Sequence, residues 1–103
     1  MRHLLTAVKV PHYPVISVTF DDGIKGDVDL SREIENKPMF ADLKDPAFFA
    51  TVRLGEDGTF LGWHLDETGH EIDLSADGLR DEVELQIIHE RANRYRSRMK
   101  AAE

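Results

Sequence analysis

Asp21, Asp22, Asp27 and Asp29 stand close together in VTFDDGIKGDVDL, with Gly23 and Gly26 between them. Carboxylates at alternate positions beside a glycine are what a calcium loop uses, because the ion is held by several oxygens at once. That loop also needs further ligands and a bidentate glutamate downstream. Here Asp27 and Asp29 lack them and lie in an alternating strand pattern. Asp22-Gly23 between two alternating runs is a hairpin signal, because glycine takes a positive φ without steric cost. The segment is expected to be a tight turn. Its aspartates are expected to be exposed, where they discourage edge-to-edge strand pairing.

A second cluster is His64, Asp66, His70 and Glu71. Imidazole with carboxylate suits zinc or manganese. The spacing matches no standard site, so a solvated loop is expected. His3, His12 and His89 have no visible partner. The chain has no cysteine, and none of Ser17, Ser31, Ser75 and Ser97 lies in a Gly-x-Ser-x-Gly elbow. There is no glycine-rich phosphate loop. No catalytic residue, cofactor or metal is expected, and the protein is not expected to be an enzyme.

The tail carries a different kind of signal. Leu85, Ile88, Ala92, Tyr95 and Met99 are spaced 3, 4, 3 and 4 residues apart, which is the a/d seam of a helix that packs on another helix. Val83 and Ile87 lie on a neighbouring face, so the apolar arc is broad at first and then narrows to the seam. Arginines flank the narrow part. Two arrangements are open. The helix lies along its own domain, with the arginines snorkelling or pairing with acids. Otherwise it projects and pairs with another chain, its arginines meeting Glu84 and Glu90 of that chain, most easily if the helices run antiparallel. Trp63 is either core, among Phe60, Leu61 and Leu65, or a partner-binding anchor that would join the seam.

Charge bears on the partner. The chain is −7 overall, with −8 from Met1 to Leu79 and +1 from Arg80 to Glu103. An acidic body repels phosphates. Arg91, Arg94, Arg98 and Lys100 nevertheless define an alternative, a nucleic-acid-binding regulator that uses the basic end.

These residues need elements to position them. His3 to Val10 reads as a strand stopped by Pro11-His12-Tyr13-Pro14. Val15 to Phe20 and Ile24 to Leu30 read as two more. Ser31 is expected to cap a short helix that Lys37-Pro38 ends. Asp45-Pro46 opens a further helical turn, with Phe48 and Phe49 pointing inward. Thr51 to Leu54 and Thr59 to Leu65 form a second hairpin, and Glu71 to Leu74 a short edge strand. A long helix then runs from Asp77 or Asp81 to about Met99, with capping-box spacing at Asp81 and Glu84. The expected fold is α+β, a mainly antiparallel sheet of about five strands with a long C-terminal helix. Residues 1–80 form the domain, and 81–103 form a helix that belongs to it or projects from it.

Phe20-x-Asp22-Gly23, Val28-Asp29-Leu30, Phe40 to Leu43, Asp45-Pro46 with Phe48 or Phe49, Trp63 and Leu79 appear in an order that resembles a family of small bacterial proteins, the domain of unknown function 2442. The resemblance covers residues 3 to 80. It implies a small α+β domain, sometimes fused to a helix-turn-helix. Genes for proteins of this family commonly neighbour that of another small protein, which invites comparison with toxin–antitoxin pairs. The resemblance brings no activity and no catalytic residue. Two features depart from the family pattern: a longer polar stretch between Trp63 and Ile72, and Ser75 where Pro is frequent.

The expectation is therefore a cytoplasmic, non-enzymatic interaction or regulatory module that dimerises or binds a small protein. No run approaches the roughly 20 apolar residues of a membrane helix.

Overall fold

The computed structural model describes residues 3–102, with side chains placed for residues 3–99. Among the described residues six strands form two antiparallel three-stranded sheets, where the sequence leads one to expect a single sheet of about five. The first sheet is β1 (Leu5–His12), β2 (Val15–Phe20) and β3 (Lys25–Asp29), in that order. The second is β4 (Arg53–Leu54), β5 (Phe60–Trp63) and β6 (Ile72–Ser75). Between them lie α1 (Ser31–Asn36), a 3-10 helix (Pro38–Lys44) and α2 (Pro46–Phe49). The chain ends in α3 (Ala76–Ala102).

Alternation builds the first sheet. Ile16, Val18 and Phe20 of β2 all point into the core, as a period of two requires. Ile16 pairs with Val28 and Val18 with Gly26. Pro11 does not end β1, which continues to His12. β1 is an edge strand with an irregular register between Lys9 and His12, a place where a missing N–H costs little. Tyr13-Pro14 is a cis peptide. The Tyr13 hydroxyl donates to the Leu43 carbonyl at 2.9 Å, tying this turn to the 3-10 helix.

The β2–β3 turn forms where the sequence places it. Gly23 has φ +86°, and its N–H donates to the Phe20 carbonyl at 2.9 Å. The Asp22 carboxylate accepts from the Ile24 N–H at 3.2 Å.

Two helix starts differ from expectation. Ser31 is the first residue of α1, not its cap; the Asp29 carboxylate accepts the Ser31 N–H at 2.9 Å. Those hydrogen bonds to Ser31 hold the Asp29 carboxyl below its usual range. The helix α3 begins before Asp77 and Asp81. Ser75 caps it, its hydroxyl accepting the Gly78 N–H at 3.0 Å. Asp81 and Glu84 sit inside the helix and form no capping box. Asp45 does cap α2, accepting the Ala47 N–H at 3.0 Å.

One core joins the layers. It includes Ile16, Val18 and Phe20, Leu43 and Phe49 from the helical connection, Leu61 and Trp63 of β5, and Leu79 and Val83 of α3. Phe49 points inward, but Phe48 is only half-buried and packs on the His64 ring at 4.4 Å. Gly26 sets the approach of the last helix. It faces the core beside Val18, and a Cβ there would stand 2.9 Å from Cγ1 of Val83. The extents are 58 × 31 × 20 Å and the radius of gyration is 15.9 Å, against about 13 Å for a compact chain of this length. The long axis follows from α3, which spans about 40 Å at 1.5 Å per residue. No helix among the described residues is long and apolar enough to cross a membrane.

Candidate functional site

The root of α3 is fixed in three ways. Its first N–H, at Ala76, donates to the Thr59 carbonyl at 2.8 Å. Ala76, Leu79 and Val83 face the core. Arg80 is 8% exposed and is the buried charge of the molecule among the described residues. Its Nη1 and Nη2 donate to Oδ1 and Oδ2 of Asp22 at 2.9 and 2.8 Å. Its Nε donates to Glu84 at 2.8 Å, one helical turn on. The guanidinium also lies 5.1 Å from the centre of the Phe20 ring. A planar fork suits two oxygens at once, and its charge is weakly hydrated, so arginine can be buried here where lysine could not.

Asp22 is therefore no free turn aspartate, as the sequence led us to expect. Hydrogen bonding to Arg80 holds its carboxyl well below the usual carboxylate range, and the same bonds raise Arg80. His3 stands 3.6 Å from Asp21 and 3.5 Å from Asp22, so these three converge. Both oxygens of Asp22 are already given to a cation, which opposes a metal ion at this place.

The second cluster loses one member. Asp66 pairs with Arg53 at 2.6 Å, outside the hollow that His64, Glu67, His70 and Glu71 line with Asp42. His64 has φ +56° and lies 3.2 Å from Glu67. Glu71 accepts the Gly69 N–H at 2.9 Å, which closes the loop. These contacts hold a surface loop together.

Trp63 is core. It is 1% exposed, and its indole N–H donates to the Phe49 carbonyl at 2.8 Å. It offers nothing to a partner, which corrects the reading of Trp63 as an anchor beside the seam.

The seam stands on the surface. Leu85 is 52% exposed, Ile88 59%, Tyr95 66% and Met99 50%, and Ala92 is exposed with them. Among the described residues seven large apolar side chains are exposed, and four of them are on this one stripe. Ile87 is the last residue to touch the core; every described side chain beyond it is exposed. Successive helical residues turn by about 100°, which puts Leu85 about 200° from Val83. The seam thus occupies the face opposite the one that packs on the sheets. Arg91, Arg94 and Arg98 are exposed too. Arg94 lies 3.8 Å from Glu90. The Lys100 side chain lies outside the described ones.

Sequence reasoning found the seam from its spacing but missed Arg80, Asp22 and Ser75. The available signal was weak: a single arginine among the polar residues of an amphipathic helix, and a Ser three residues before a glycine.

A three-stranded hairpin sheet, a helical connection and a second small sheet under one helix define a small α+β domain without a catalytic constellation among the described residues. The family model for a protein of unknown function (DUF2442) matches residues 6–84, and the chain belongs to that family. No curated protein and no solved structure matches the chain. The match takes in both sheets and the Arg80–Asp22 pair. It ends one residue before Leu85, so the seam and the arginines lie beyond it.

Proposed function

We propose that this DUF2442 protein is a non-enzymatic interaction module that self-associates through the outer face of α3. The observation that carries the reading is the stripe of Leu85, Ile88, Tyr95 and Met99, each at least half exposed and all turned away from the core. The twelve residues from Ile88 to Met99 all have exposed side chains and bury none against their own domain. An isolated helix of about that length is marginal in water. Burying the stripe against another helix supplies the missing support. A narrow apolar seam bordered by long cationic side chains fits one partner helix better than a broad sheet. A cytoplasmic location belongs to the same reading, since the cysteine-free chain asks nothing of an oxidising compartment.

A small protein of another sequence is a competing occupant of the same stripe. Nucleic-acid binding through Arg91, Arg94 and Arg98 is the reading from a different class, and the acidic body opposes it. Salt separates the two classes. Self-association measured by analytical ultracentrifugation at about 50 and 500 mM salt is expected to change little, while binding to a labelled DNA duplex is expected to be absent at both. Duplex binding that falls steeply with salt, by a chain that remains monomeric, would replace this proposal with the nucleic-acid reading.

A further inference from the structure

We propose that Glu82, Glu84, Arg96 and Arg98 fix the orientation of the partner, and that the partner is a second copy of the chain running antiparallel along α3. This rests on self-association through α3 and adds its geometry.

With Leu85 and Ala92 at one seam position and Ile88 and Tyr95 at the other, antiparallel packing sets the two positions opposite each other. Leu85 then faces Tyr95 of the second copy, and Ile88 faces its Ala92. The layers are symmetric about residue 90, so Met99 lies at the edge of the seam beside Asp81 of the second copy. The flanking positions follow. Glu82, His89 and Arg96 line one side of the seam; Glu84, Arg91 and Arg98 line the other. In this register Glu82 meets Arg96 of the second copy and Glu84 meets its Arg98. Each pair occurs twice by symmetry. Arg91 faces its own equivalent once, at the centre.

The parallel alternative is worse. Side chains then meet five residues apart across the seam, so Arg91 faces Arg96 twice and Glu84 faces only His89. Glu90, which the sequence offered as a partner for the arginines, sits on the side of the helix away from the seam and lies beside Arg94 of its own chain. Asp77, Gly78, Asp81 and Glu82 are exposed, so the outer face is open down to the root of the helix. The two domains would sit at opposite ends of the helix pair, on its outer sides.

The chain has no cysteine, so introduced thiols report without background. Leu85→Cys and Tyr95→Cys chains, one carrying a size tag, are mixed and oxidised. The antiparallel register predicts a disulfide between the unlike chains only, since two copies of position 85 would be about 15 Å apart along the axis, beyond the ~7 Å that a disulfide spans. Disulfides between like chains would overturn the register and leave self-association standing. Dimers in sedimentation with no disulfide at all would place the interface elsewhere and overturn it as well. Monomers in sedimentation would remove self-association itself. A charge exchange provides a second readout that spares the seam. Glu82→Arg alone or Arg96→Glu alone is expected to raise the dimer Kd roughly fivefold, and the two together to restore it. A double variant no tighter than the singles would overturn the pairing.

Discussion

Arg80 donates to both carboxylate oxygens of Asp22, at 2.9 and 2.8 Å, and so ties the root of the last helix to the tip of the first hairpin. The pair spans 58 residues of sequence, and the guanidinium is shielded by Phe20 beneath it. It explains how α3 is held firmly at one end while its far half stands clear of the domain.

Arg80→Met keeps the apolar stem and removes the donors. Asp22 then loses its partner and Glu84 loses Arg80. A fall in melting temperature of roughly 5–10 °C is expected, together with faster amide exchange in the first turns of α3. An unchanged melting curve would show that the pair contributes no stability.

Acid should dissolve the same link. The Asp22 carboxyl titrates well below its unfolded value because Arg80 bonds the charged form. A depressed folded pKa contributes stability that is present above the unfolded value, about 4, and is lost as pH falls toward the folded one. Asp22→Asn lacks this term. Wild type is therefore expected to be more stable than Asp22→Asn at pH 6–7, with the difference shrinking steadily below about pH 4. Melting curves of the two proteins across pH 2–7 check it; a constant difference would contradict the assignment.

Gly23 has φ +86°, and a Cβ there would meet nothing within 4 Å. Only backbone strain opposes a side chain at this position. Gly23→Val is expected to cost more than about 1 kcal/mol in denaturant unfolding, and Gly23→Asn less, because Asn tolerates this conformation. Millimolar calcium is expected to leave the melting temperature unchanged, since Arg80 already occupies Asp22.

Gly26 is constrained by space instead. Gly26→Val would press on Val83 and push α3 off the sheet, at a cost of about 1–3 kcal/mol. Adding Val83→Ala should recover part of that loss. Independent, additive effects of the two changes would deny the contact.

Local signals explain what the sequence made legible. The β2–β3 hairpin was readable because alternation, β-branched residues and Asp-Gly all agree within a dozen residues. The Asp45 cap and the spacing of the seam were readable for the same reason. Arg80 was not, because nothing local distinguishes an arginine that meets a carboxylate 58 residues away from one that meets water. The Ser75 cap was hidden by Gly78, a poor helix former, and by the Asp81–Glu84 spacing, which imitates a capping box. Whether the tail lies down or stands out depends on how much sheet there is to cover. That quantity is set by the tertiary fold, and Ile87 is the last residue of α3 packed against the core.

The most direct test of the account is sedimentation of the wild-type chain beside Tyr95→Asp/Met99→Asp. Both substituted residues are exposed and remote from the core, so the two proteins should share one melting temperature for the sheets when the self-association term is diluted out. The wild type is expected to sediment as a dimer at high micromolar concentration and to dissociate on dilution, while the variant stays monomeric. A wild-type chain that remains monomeric throughout, or a variant that dimerises as well as the wild type, would contradict the claim that the outer face of α3 is the working surface of this protein.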